Sequence, residues 1–355
     1  MHLGFKGGFK VLVAAMGFSV ASVPGQTTGI VSSEFIAPQP PSVTSHSSTL
    51  VEVNGELLAA WMGGSTNRGL DANIWLARKK GGVWTAPIEV ANGIHDEERV
   101  RNACWNPVLF LPRSGPLYLF YKEGRSPETW WGMVMVSDDS GKTWTQGKKL
   151  PIGFLGPVRN KPIEVEGGWF LCPSSIESSG WLTHIERTQN PLKAWYKTGP
   201  LNTSMEFGAI QPTFLRFHDG SLEILCRTKQ GKVVSSWSRD NGVTWSAMKA
   251  TGLPNPNSAI DAVTLRDGRS LLVYNHSATD RGLLNVAVTK DGKIWEAALT
   301  LENEPGAEYS YPAVIQTDDG KIHVTYSANR QKIKHVVLDP DQFQLKPIVD
   351  GQWPK

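Results

Sequence analysis

Six segments of this chain set polar or ionisable residues just ahead of apolar, alternating runs: His46, Asn106, Arg159 with Lys161, Gln211, Asp261, and Tyr309 with Tyr311. A second set ends the run that follows: Trp61, Lys122, Ser174, Arg227 and Asn275-His276. Cations dominate among their charges, and arginine grips a carboxylate through two parallel N–H bonds. Gathered in one place, these groups would suit a small anionic ligand such as a sugar carboxylate. Gathering them is the work of the fold.

Two markers show how distant segments converge. Tryptophans recur at Trp84, Trp144, Trp195, Trp245 and Trp295, spaced 60, 51, 50 and 50 residues apart. Turn dipeptides fall between β-patterned runs at Asn54-Gly55, Ser114-Gly115, Gly167-Gly168, Asp219-Gly220, Asp267-Gly268 and Asp319-Gly320. Asn-Gly and Asp-Gly between apolar runs mark hairpins, because the turn requires positive φ. A repeat near fifty residues, all strands and turns, predicts a β-propeller whose units bury their faces against one another. Six hairpins give six four-stranded blades. The segment 29–37 precedes the first hairpin, and its expected place is beside the last blade, closing the ring. In such a ring every inner strand starts on one face and the second strand returns to it, so both residue sets meet at an axial mouth.

A tighter motif lies inside the repeats. Ser137–Trp144 and Ser238–Trp245 share the pattern S-x-D-x-G-x-T-W, Thr289–Trp295 is a shortened copy and Ala77–Trp84 a degenerate one. Aspartate accepts backbone N–H bonds in the turn, glycine supplies positive φ and tryptophan packs between strands. These are structural turns. Gly141-Lys142-Thr143 lacks the glycine-rich half of a phosphate loop, since Val136 stands where that half would begin.

The boxes and the repeat together resemble the Asp-box (BNR) sialidase superfamily over residues 40–340. The resemblance implies a six-bladed all-β propeller and an exo-glycosidase that removes terminal sialic acids, with an arginine triad on the substrate carboxylate and a tyrosine nucleophile. Arg227 and Arg281 resemble the second and third arginines; His46, in Ser45-His46-Ser47, stands in place of the first. Tyr309 resembles the nucleophile, with Tyr311 the alternate. Asp71 resembles the general acid. Gln211 occupies the place of the glutamate that activates the tyrosine, leaving Glu308, Glu206 or His276 to assist a phenol whose ordinary pKa is about 10.

Histidine for arginine and glutamine for glutamate touch the reaction itself. A protonated His46 would hold the anion, or share it with Arg159 and Lys161. The expected substrate-binding set is Arg227, Arg281, Arg159, Lys161, Asn106, Lys122, Asp261, His276, Tyr311 and Trp61. The leading expectation is a hydrolase acting on a sialic or related nonulosonic acid, sialidases being an exception to the two-carboxylate rule. An alternative is a propeller lyase, or an enzyme cleaving rhamnosyl-glucuronate linkages, with His46 as general base beside a uronate carboxylate. A further alternative is a glycan-binding propeller without catalysis.

Other features narrow the class. Thirty-six basic residues against thirty-three acidic ones leave a net charge of +3, too small to imply a nucleic-acid partner. Cys104, Cys172 and Cys226 form no disulfide framework and no metal or redox spacing. His46, His184 and His276 are isolated in sequence, so no metal is expected, and no nucleotide, flavin or haem motif appears. Lys6 and Lys10 precede the apolar run 11–20 and small residues through Ser22. That pattern reads as a signal peptide over 1–26 ahead of one propeller domain, 27–355, in a secreted or periplasmic monomer that meets no membrane after cleavage. Trp130 and Trp131 could stack on sugar rings or pack a blade core, and Glu177 could face the mouth. Asn202-Thr203-Ser204 and Asn275-His276-Ser277 fit a glycosylation sequon.

Overall fold

The computed structural model describes residues 28–66, 69–95 and 100–355; the expected signal segment lies outside them. Alternating sequence makes each hairpin. His46–Val53 pairs antiparallel with Glu56–Gly63 through Asn54 and Gly55, whose φ values are 52° and 75°, the left-handed pair that a two-residue turn requires. The same step opens every other blade. Ala103–Phe110 pairs with Leu117–Gly124, and Ile163–Val165 with Trp169–Ile176. Ala209–Arg216 pairs with Leu222–Thr228, Asp261–Thr264 with Ser270–Tyr274, and Tyr309–Gln316 with Ile322–Ala328. Outer strands complete six sheets of four or five strands. The chain is a six-bladed β-propeller.

Ring closure follows the expected route. Ile30–Phe35 pairs antiparallel with Lys332–Leu338 as the outer strand of blade 6. Glu34 then ties that strand to blade 1. Its Oε1 bonds to His335 at 3.2 Å, accepts Trp84 Nε1–H at 3.1 Å and pairs with Lys79. At the other terminus, Lys346–Pro347 covers the outer edge of blade 5 by pairing with Trp295–Asn303. Both devices occupy edges that would otherwise be open to association.

The two full Asp boxes are superimposable in chemistry. Asp139 Oδ1 accepts the N–H groups of Lys142 and Thr143 at 3.1 and 2.8 Å, and Asp240 Oδ1 accepts those of Val243 and Thr244 at 3.1 and 2.9 Å. The boxes sit with the hairpin turns, away from the strand starts. Asn54 donates to Ser140 Oγ at 2.9 Å and Asn241 to Glu166 Oε2 at 3.2 Å, so each box stitches its blade to the preceding one. Hydrophobic clusters fill the spaces between blades. All three cysteines are free and buried among them. Asn202 and Asn275 are buried and bonded to backbone, so a glycan on either side chain would displace bonds of the folded structure.

One repeated irregularity prepares the site. In blades 1, 2, 4 and 6 the inner strand slips register near its start. There Ser47, Asn106, Gln211 and Tyr311 adopt φ of 55°, 43°, 56° and 57°.

Candidate active site

A regular strand sends successive side chains to opposite faces. A bulge resets that alternation and re-aims a side chain. By this means Asn106, Gln211 and Tyr311 reach a cavity of about 120 Å³ at the axial mouth. Holding a residue with a Cβ in the left-handed region costs roughly 1–2 kcal/mol, and strain of this kind clusters at functional sites.

Tyr311 stands at the centre. Arg227 Nη1 donates to its hydroxyl at 3.0 Å. Its ring lies 4.1 Å from the His46 imidazole, with the guanidinium of Arg159 5.4 Å away. Arg227 also donates to Gln211 Oε1 at 3.2 Å and, through Nε and Nη2, to Asn257 Oδ1 at 3.0 and 2.8 Å. Arg281 donates to the Asn257 carbonyl at 2.6 Å and to Glu308 Oε1 at 3.0 Å. Arg330 Nε donates to the other Glu308 oxygen at 2.8 Å. Arg227, Arg281 and Arg330 therefore form one arc, with Asn257 and Glu308 as spacers; Arg227 and Arg330 line the cavity and Arg281 does not. Such an arc favours an anion of matching width.

The charges act on each ionisable neighbour. Burial opposes ionisation of Tyr311, but the charges of Arg227 and Arg281 and the Arg227 bond outweigh it, leaving the phenol below its usual value. Glu177, the one carboxylate among the described residues lining the cavity, pulls the other way. Burial first, then Arg330, Arg159, Arg281 and Arg227, hold His46 well below 6.5, so the ring is neutral at pH 7. A neutral His46, bonded to Ser327 Oγ at 2.9 Å, cannot grip a carboxylate by charge. Glu308 is partly buried, yet Arg330, Ser310 and Arg281 keep its carboxyl below the ordinary range. It braces arginines and is ill placed to act as a base.

Several expected site residues are elsewhere. Tyr309 donates to Glu304 Oε2 at 2.6 Å and packs in the blade 6 core, where burial and that carboxylate raise its pKa. The reversal at Tyr311 separates the two phenols. Trp61 is buried among Leu50, Ala59 and Ile333, and Met62, the partner of His46, faces the cavity instead; one residue of phase flips the face. Lys122 is fully buried against the Pro157 carbonyl, and burial lowers its pKa to about 7. Asp261 holds Lys161 at 2.9 Å, Thr213 at 2.8 Å and the Val314 N–H at 2.9 Å inside the ring. Lys161 opens onto a separate cavity of about 300 Å³ at the far end of the inner strands, which contains no tyrosine.

Arg159 is 1% exposed, donates to the Pro312 carbonyl and supports Tyr311 from beneath. His276 is bound to Tyr274 and to the Gly351 carbonyl, clear of the mouth. Glu206 is exposed in the loop after Asn202. Asp71 accepts the Ser65 N–H at 3.0 Å within its own loop, and bonds to Ser65 keep it ionised; it does not line the cavity. Among the described residues no three His, Cys, Asp or Glu side chains converge as a metal would need.

The fold and the boxes agree with the first comparison. The BNR repeat-like domain family matches residues 55–324. The chain belongs to this family. No curated protein matches it. Among solved structures, this BNR-repeat chain is similar to a protein of unknown function from Dyadobacter fermentans, with TM-score 0.73 and 17% identity over 89% of this chain and 100% of that one. It is also similar to the NanB sialidase of Streptococcus pneumoniae, with TM-score 0.69 and 14% identity over 85% of this chain and 69% of that one. The intramolecular trans-sialidase of Ruminococcus gnavus gives TM-score 0.68 and 14% identity over 91% of this chain and 100% of that one. At these identities the likeness is one of fold, the sialidase propeller.

Within this BNR-repeat site, sequence reasoning missed Arg330, Asn257 and Trp181. Arg330 sits where the second strand of blade 6 returns to the mouth, in a left-handed turn at φ 54°. The return rule that singled out Arg227 in blade 4 points to it equally. Trp181, at φ 67°, lies 5.4 Å from the Arg227 guanidinium.

Proposed function

We propose that this BNR-repeat protein is a secreted sialidase-like exo-glycosidase that removes a terminal acidic sugar, a sialic or related nonulosonic acid, from glycans. The observation that carries the reading is the 3.0 Å bond from Arg227 to the Tyr311 hydroxyl inside the arginine arc. Arg227 and Arg330, at the two ends of the arc, receive the sugar carboxylate. Tyr311 is the nucleophile. A neutral phenol at the reacting face avoids setting a carboxylate against an anionic substrate.

Glu177 takes the phenolic proton as the Tyr311 oxygen bonds to the anomeric carbon, while the departing glycosidic oxygen, on the opposite face of that carbon, is protonated from solvent. Water then attacks the glycosyl-tyrosine from the vacated face, releasing its proton to solvent, and Glu177 returns its proton to the Tyr311 oxygen. Atoms and charge balance, and Gln211 need accept nothing. Product analysis on sialylated and uronate-terminated glycans tests the reading: an intact acidic monosaccharide supports it.

A second reading has one observation in its favour. Neutral His46 lies 4.1 Å from Tyr311, the arrangement a lyase would use to remove a proton beside a uronate carboxylate and protonate the leaving oxygen. Its product would be an unsaturated uronate that absorbs ultraviolet light.

A further inference from the structure

Blade 3 departs from its neighbours. Its inner strand is Ile163–Val165, three residues against eight in blades 1, 2, 4 and 6. The segment ahead of it, Arg159-Asn160-Lys161, is not strand, and its side chains bond to the next three blades. Arg159 donates to the Pro312 carbonyl of blade 6. Asn160 Nδ2 donates to the Gln211 and Pro212 carbonyls of blade 4 at 3.2 and 2.9 Å. Lys161 Nζ reaches Asp261 Oδ2 of blade 5 at 2.9 Å. Gln211, Pro212 and Pro312 lie inside the register slips between Ile210 and Thr213 and between Ser310 and Ala313. A bulge leaves residues outside the ladder, and their buried carbonyls need other donors.

Asp261 fastens the same two strands just past the slips. Its Oδ1 accepts the Thr213 hydroxyl at 2.8 Å and its Oδ2 the Val314 N–H at 2.9 Å. Asp261 is 2% exposed and does not line the axial cavity, so it acts on a sugar only through other groups. Together these side chains hold the two bulges that carry Gln211 and Tyr311, both within the slip and beyond it. We infer that Asp261 and Arg159-Asn160-Lys161 are a positioning brace that keeps Gln211 and Tyr311 left-handed and the Tyr311 hydroxyl against Arg227. The catalytic meaning of the brace rests on the exo-glycosidase reading, whereas its geometry is tested apart from it.

The full chain, isotope-labelled at tyrosine Cζ, gives the readout by NMR, the Tyr311 signal being assigned by its loss in Tyr311→Phe. That phenol faces Arg227, Arg281, Arg159, His46 and Glu177, and its bond to Arg227 helps to hold it below the ordinary range. Asp261→Asn should make it titrate about one pH unit higher as the hydroxyl leaves Arg227. Removal of a nearby carboxylate would by itself act in the opposite direction, so a rise reports geometry. Thr213→Val, which changes no charge, should raise the titration in the same sense, and Thr213→Ser should restore it. In Asp261→Asn and Thr213→Val, kcat for an acidic glycoside should fall about tenfold to hundredfold with KM within about threefold. A Tyr311 titration unchanged or lowered in both variants, with the other tyrosine signals native, overturns the brace. Loss of the folded spectrum in both overturns it as well, since the cluster would then serve stability alone. A raised titration in a protein whose wild type turns over no acidic glycoside removes the exo-glycosidase reading and leaves the brace standing.

Discussion

Arg227 Nη1 and the Tyr311 hydroxyl are 3.0 Å apart, and the same guanidinium is clamped by both oxygens of Asn257. The donor is held by a turn in blade 4–5 and the acceptor by a bulge in blade 6. Their meeting depends on ring closure, so the reactive group exists only in the folded toroid.

The two tyrosines give the sharpest contrast. Tyr311→Phe should lower kcat by roughly 10³-fold, as removal of a covalent nucleophile does, with ligand affinity within a few fold. Tyr309→Phe loses only a bond to Glu304 and should retain turnover within about threefold while lowering stability by about 1 kcal/mol. Steady-state kinetics and thermal melts on both variants check this.

On the proposed reading, Arg330 takes the anion-binding task that a neutral His46 cannot. Truncating one charge-assisted contact costs about 1.5–3 kcal/mol, so Arg330→Met should raise KM for an acidic glycoside about tenfold to hundredfold with a smaller change in kcat. Glu308→Gln frees Arg281 and Arg330 from their shared carboxylate and should raise KM in the same direction. An unchanged KM in both would remove Arg330 from the clamp.

His46 separates the two chemistries. In a hydrolase, His46→Ala removes a neutral ring that packs on Tyr311 and should leave activity within about tenfold. In a lyase it removes the base, and product absorbance should vanish. One variant and one spectrum decide between them.

Acid should loosen the ring in two stages. Burial holds His46 well below 6.5, and burial with the nearby His335 holds His323 at about 4. The folded state refuses protons that the unfolded chain accepts, so stability is constant above about 6.5 and falls as pH drops toward 4. Glu34, lowered to about 2 chiefly by its His335 bond and by Lys79, contributes fully above 4.5 and loses that contribution as pH falls toward 2. Melts from pH 8 to 3 should show this slope, and His323→Asn should flatten its upper part; a Tm flat from pH 7 to 4 would contradict it.

The fold was legible because hairpin chemistry and tryptophan spacing are local and repeat. Asn54-Gly55 and Asp240 announce their turns in any context. The site was legible only to the level of segments. Tyr309 and Tyr311 have the same composition and nearly the same neighbours, and what divides them is a left-handed φ at a register slip that no local pattern declares. Trp61 and Met62 differ by one residue of phase, and such a phase is set by tertiary pairing. The neutrality of His46 comes first from burial and then from four arginines of blades 3, 4, 5 and 6, an environment that sequence order cannot bring together.

The most direct test of the central claim is covalent trapping. A fluorinated acidic-sugar fluoride, which forms a slowly hydrolysed glycosyl-enzyme, followed by peptide mass spectrometry, should place the adduct on Tyr311. An adduct on Tyr309 or another residue, or turnover of acidic glycosides with no trappable adduct in the wild type, would contradict the account.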